Sequence, residues 1–73
     1  MLKEVEMSLK IDLDNIVNGK NDATNFSTQL MRIVFKADVI NKAKLHSAYP
    51  NLVRTVQQYQ ETGEILDLPY DTI

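Results

Sequence analysis

The stretch that most constrains the fold is FSTQLMRIVFKAD, residues 26–38, which is too apolar to face water on most of its sides. On a helical wheel its apolar side chains cover an arc of roughly 200°, against the roughly 100° stripe of an ordinary surface helix. We therefore predict a central helix here, covered by more than one neighbouring layer. The arc comprises Phe26, Leu30, Met31, Ile33, Val34, Phe35 and Ala37.

The segment before this helix alternates apolar and polar residues without a break over residues 5–13. A period of two is typical of a β-strand with one dry face, so we predict a strand there. A lone strand leaves its backbone donors and acceptors unpaired and needs a partner. Either residues 65–70 of the same chain or the same strand of a second chain supplies it.

Three local signals divide the rest of the chain. A central helix continued past residue 37 would turn polar side chains into the apolar arc, so we predict a break with Asp38 as the N-cap of a second helix. Pro50 suits the first position of a third helix, and Gly63 suits the left-handed C-cap that ends it. Pro69 confines residues 65–70 to an edge strand or an extended tail.

Together these elements predict one α+β domain over residues 1–73. It has an N-terminal strand, a central helix, two short helices, and either a short C-terminal strand or an extended tail over residues 65–73. A domain of this size hides only about 60% of its unfolded surface and is marginally stable. The chain has no cysteine and one histidine, so neither a disulfide nor an ordinary structural zinc site can stabilise the fold. We predict that self-association as a homodimer completes it.

No pattern typical of catalysis, of cofactor binding or of metal binding stands out. His46 and Ser47 are sequence neighbours, and neighbours on a helix do not face each other. Gly19 and Gly63 are the two glycines, and they do not form a phosphate-binding loop. We predict that the protein is not an enzyme and takes no cofactor or metal.

The sequence also lacks an apolar run of the roughly 18 residues that a membrane-spanning helix needs. Its first residues do not have the charged and then apolar pattern of a signal peptide. We therefore expect a cytoplasmic protein that does not interact with membranes.

Charge is divided along the chain. Residues 27–60 carry five basic side chains and one acidic, whereas residues 61–73 carry four acids and no base. The acidic tail can lie near the basic helices of its own copy or of a neighbouring copy. Alternatively, the helices bind an acidic partner, or the tail binds a basic one.

The middle of the chain, residues 26–53, carries a pattern made up of Phe26, Gln29-Leu30, Ile33, Lys36-Ala37-Asp38, Asn41, Leu45, Tyr49-Pro50 and Val53. This pattern resembles small uncharacterised accessory proteins of phages and mobile elements of Gram-positive bacteria. The resemblance implies a protein that binds and redirects a host protein, with no catalytic residues.

Two features favour a non-enzymatic interaction module that modulates or inhibits a host protein. One is the wide apolar arc, which a partner could cover. The other is the tail, which resembles the short peptides by which bacterial replication proteins dock into the DNA sliding clamp, although Ile65 replaces their leading Gln. The partner-binding residues proposed from the tail are Ile65, Leu66, Asp67, Leu68 and Tyr70.

The alternative is a small dimeric DNA-binding transcriptional regulator of the ribbon-helix-helix type. Its paired strands would present Glu4, Glu6, Ser8, Lys10 and Asp12 to the major groove, and the three acids among them repel phosphates. The alternative DNA surface consists of the basic residues Arg32, Lys36, Lys42, Lys44 and Arg54. Of these, Arg32 and Lys36, one turn apart on the polar side of the central helix, are the candidate contacts to phosphates or to an acidic partner.

Overall fold

The computed structural model describes residues 8–71, and these residues form four helices and no strand. The predicted α+β class is therefore wrong, because the described part of the chain is all helical. The helices are Leu9–Asn18 (α1), Phe26–Lys36 (α2), Val39–Ala48 (α3) and Pro50–Thr62 (α4).

The N-terminal strand is the main error. Residues 9–13 belong to α1, and the remainder of the predicted strand, residues 5–7, lies outside the described part. Ser8 caps the helix, since its hydroxyl oxygen accepts a hydrogen bond from the Ile11 N–H at 3.1 Å. Leu9 and Leu13, four residues apart, are buried, whereas Ile11 is exposed. A spacing of four residues places two side chains on the same face of a helix. It also fits an alternation of apolar and polar residues, which is why the sequence pattern predicted a strand.

The signals that divide α2, α3 and α4 act as predicted. The Asp38 carboxylate accepts a hydrogen bond from the Asn41 N–H at 2.7 Å and begins α3. Pro50 is the first residue of α4, and Gly63 ends that helix at a φ of 78°. Because L side chains avoid this left-handed backbone region, glycine suits the position.

The core lies between α1, α2 and α4, which contribute all of the buried apolar side chains in the described residues. α3 contributes none and packs mainly against α4. The core residues are Leu9, Leu13, Leu30, Met31, Val34, Leu52, Val53 and Val56.

After α4 the chain turns back as a tail, residues 63–71, that has no regular secondary structure. The alternative of a C-terminal strand is therefore wrong for the described residues, which end at residue 71. The tail runs back along α4. Glu64 accepts a hydrogen bond from Gln58 near the end of that helix, and Asp71 accepts two at its start.

Candidate functional site

A groove of about 390 Å³ lies between α2 and α3. The two helices are joined by Ala37 and Asp38 alone, and the groove opens beside this junction. The groove is lined by Ile33, Lys36, Ala37, Asn41, Lys44 and Leu45.

Apolar side chains of α2 and α3 remain in contact with water. Ile33 on α2 is 55% exposed, and at the start of α3 Val39 is 84% and Ile40 69% exposed. The core uses Leu30, Met31 and Val34 from the wide apolar arc and leaves Ile33 uncovered. The surplus of apolar surface predicted for the central helix is thus present.

The groove is also positively charged. Lys36 and Lys44 are exposed on opposite helices, and no acidic residue belongs to the lining. Asp38, the nearby acid, uses one carboxylate oxygen to cap α3. The site is an apolar cleft flanked by cations, which suits a ligand that is apolar on one side and anionic on the other.

Arg32 is placed differently from Lys36. Its guanidinium donates to the Asn21 side-chain oxygen at 2.9 and 3.0 Å and to the Asn21 carbonyl at 3.2 Å. Asn21 has a φ of 56°, a conformation that these hydrogen bonds help to hold. Arg32 therefore fixes the loop before α2, and Lys36 is the predicted basic residue that lines the groove.

The tail residues divide into an inner and an outer set. Ile65, Leu68 and Tyr70 pack against the core, whereas Asp67 is exposed and Leu66 is half exposed. Docking of this segment into a sliding clamp stays a prediction. It would require Leu68 and Tyr70 to leave their intramolecular contacts.

Tyr70 anchors the tail to α1 and α2 through a chain of polar contacts. Its hydroxyl donates to the Asp12 carboxylate at 2.8 Å, and Asp12 also accepts from the Asn25 amide at 3.3 Å. Thr28 donates to the Asn25 side-chain oxygen at 2.8 Å. The alternation pattern had placed Asp12 on a wet strand face, and no local signal marks it as buried.

Burial and then the hydrogen bond to Asp12 raise the pKa of Tyr70 from 10.0 to about 12. The neutral phenol is thus favoured in the folded state. Its contribution to stability is complete below pH 10 and is lost as the pH rises through about 12. In an absorbance titration of tyrosinate, we expect a component near pH 12 that Tyr70→Phe removes. Loss of a component near pH 10 instead would contradict the buried contact.

A second cleft, of about 300 Å³, lies where the starts of α1, α2 and α4 meet the tail. The rings of Phe26 and Tyr49 pack there with centroids 5.7 Å apart. Tyr70 and Asp71 close one side, so this cleft is partly filled by the chain itself.

The described residues contain neither a metal-binding cluster nor a membrane-spanning helix. Within residues 8–71, no three His, Cys, Asp or Glu side chains come together in a way that could hold a metal ion. No helix in the same range has the length and apolar character needed to cross a bilayer.

Comparison of the chain with models of protein families, with curated proteins and with solved structures finds no match. The resemblance of residues 26–53 to phage accessory proteins therefore stays a prediction.

Proposed function

We propose that the protein is a non-enzymatic interaction module, and that the groove between α2 and α3 binds an acidic amphipathic segment of a partner protein. The observation that carries this proposal is that exposed Ile33 lines the same groove as exposed Lys36 and Lys44. In this way the protein modulates or inhibits its partner. A host protein in the cytoplasm of a phage-infected bacterium is the setting that the sequence resemblance implies.

Apolar burial supplies the attraction. A ligand in the groove would cover the exposed parts of Ile33 and Leu45. Each Å² of apolar surface removed from water contributes about 25 cal/mol to binding. Such anchors at the centre of an interface, surrounded by polar groups, are the usual composition of a protein-binding site. A helix that presents apolar residues at intervals of one turn would fit between α2 and α3.

Charge selects the partner. Lys36 and Lys44 would meet carboxylates beside the apolar face of the partner segment and repel a basic segment. Because the lysines are exposed, their contribution acts mainly on association rate and specificity, and it weakens with salt.

Duplex DNA is the competing partner, since phosphates also pair with lysines. Three observations favour a protein. The exposed Ile33 gains little from a phosphate backbone, and Arg32, one of the two candidate phosphate contacts, is engaged with Asn21. A ribbon-helix-helix protein also requires an N-terminal strand, and the described residues, from residue 8 onwards, form no strand.

We expect direct binding of a fluorescent amphipathic peptide that carries leucines along one helical face and glutamates beside them. Fluorescence anisotropy measures the Kd with the full chain. The double change Lys36→Glu and Lys44→Glu should raise the Kd by about tenfold or more, since it turns two attractions into repulsions. Ile33→Asp should raise the Kd similarly, because it places a charge at the apolar contact.

The matched control is Lys10→Glu with Lys20→Glu, which makes the same charge change at two exposed lysines of α1 and of the loop that follows it. Binding by this control should stay within about twofold of the wild type. Equal losses of affinity in both double variants would show that peptide binding depends on the net charge of the protein and not on the groove. Tighter binding of duplex DNA than of the peptide, abolished by the groove changes, would replace this function with the DNA-binding alternative.

A further inference from the structure

The outer surface of the tail is acidic with an apolar centre. Glu64 and Asp67 are exposed, and Leu66 between them is half exposed. Ile65 and Leu68, in contrast, pack against the core. The tail thus presents a leucine flanked by two carboxylates, held on a backbone that is fixed at both ends.

This chemistry matches the groove. Carboxylates of Glu64 and Asp67 suit Lys36 and Lys44, and Leu66 suits the cleft beside Ile33. We infer that the tail of a second copy of this chain binds the groove between α2 and α3, and that two such contacts related by a twofold axis form a homodimer. The inference rests on the proposed function, because it assigns a resident occupant to the same groove.

The occupant has to come from another copy because the tail is held elsewhere on its own chain. Asp71 is bound to the start of α4, Tyr70 to Asp12 on α1, and Glu64 to Gln58 on α4. Those contacts follow α4 and α1, whereas the groove opens between α2 and α3. The same contacts order the tail in advance, so that binding between copies loses little conformational entropy.

A small chain also gains from such a dimer. Within residues 8–71 the core has eight buried apolar side chains, while Ile33, Val39 and Ile40 stay exposed. Domains of this size without disulfides commonly gain stability by self-association. An acidic partner segment would then compete with the tail, and partner binding would separate the two copies.

The test is sedimentation of the full chain at several protein concentrations. The wild type should shift from monomer towards dimer as concentration rises. Lys36→Glu with Lys44→Glu (the groove variant) and Glu64→Lys with Asp67→Lys (the tail variant) should each raise the dimer Kd by about tenfold or more. All four side chains are exposed, and circular dichroism checks that both variants fold.

An equimolar mixture of the groove variant and the tail variant should recover the dimer. In the mixed pair the acidic groove meets a basic tail and the basic groove meets an acidic tail, so both contacts are again attractive. Lys10→Glu with Lys20→Glu should leave the wild-type dimer unchanged. A mixture no more dimeric than its components, or a wild type that is monomeric at every concentration, would overturn the inference.

The outcomes separate this inference from the proposed function. A monomer that binds the acidic amphipathic peptide would refute the dimer and leave the function standing. A dimer that passes the charge-exchange test but does not bind the peptide would refute the function alone. Dissociation of the dimer by the peptide supports both.

Discussion

Leu13→Ala should lower the free energy of unfolding by about 2–5 kcal/mol, the usual cost of truncating a buried leucine. Leu13 is fully buried in the core between α1, α2 and α4. In a domain of this size each kcal/mol corresponds to a fall in Tm of roughly 4–8 °C. Urea and thermal unfolding followed by circular dichroism measure both quantities.

Ile11→Ala is the matched control, and it decides between helix and strand. On a strand, Ile11 and Leu13 share the dry face, and the two changes would cost similar amounts. On α1, Ile11 is 44% exposed, and its truncation should cost less than about 1 kcal/mol. Equal losses at the two positions would contradict the helical assignment of this segment.

Asp71→Ala should lower the free energy of unfolding by about 1–2 kcal/mol, because it removes the N-cap of α4. Tyr49, at the cap position, provides no side-chain hydrogen bond. Instead the Asp71 carboxylate accepts from the Asn51 N–H at 2.8 Å and from the Leu52 N–H at 3.0 Å. A negative charge there also interacts favourably with the helix dipole.

Asp67→Ala is the control in the same tail. Asp67 is exposed and faces away from the core, so its removal should change the free energy of unfolding by less than about 0.5 kcal/mol. Chemical denaturation of the two variants beside the wild type measures the difference. If Asp71→Ala lowered the free energy of unfolding as little as Asp67→Ala, the tail would not stabilise the start of α4.

The break between α2 and α3 and the two ends of α4 were predictable because their signals are local. Asp38 caps the helix that begins at the next residue, Pro50 fixes a backbone angle suited to a first turn, and Gly63 tolerates a left-handed end. Each of these effects acts within about one turn of the residue that causes it. None depends on what the helix later packs against.

The error at α1 came from a pattern too short to separate two periods. Over residues 9–13 an alternation of apolar and polar residues also places Leu9 and Leu13 one turn apart. Polar Asn15 and apolar Ile16 break the alternation, whereas Ile16 and Val17, which pack against the core, continue the helical spacing from Leu9 and Leu13. With those two residues included, the pattern favours a helix.

For the candidate site, the sequence predicted that α2 carries more apolar surface than the core covers, but it did not predict where the uncovered surface lies. The wide apolar arc of α2 implied that some of it would lack cover, and Ile33 is an uncovered member. That Lys44 and Leu45 of α3 would line a cleft with Ile33 and Lys36 depends on how two helices pack. Arg32 and Lys36 looked equivalent in the sequence, and the contact with Asn21 separates them.

The sequence by itself determined where α3 and α4 begin and where α4 ends, and that α2 carries more apolar surface than the core uses. Those properties follow from backbone preferences and from side-chain spacing along the chain. Only the tertiary structure decided that Asp12 is buried, that Tyr70 holds it, and that Asp71 caps a helix that begins 21 residues before it. Such contacts join residues far apart in the chain, and their geometry is set by the packing of the helices between them.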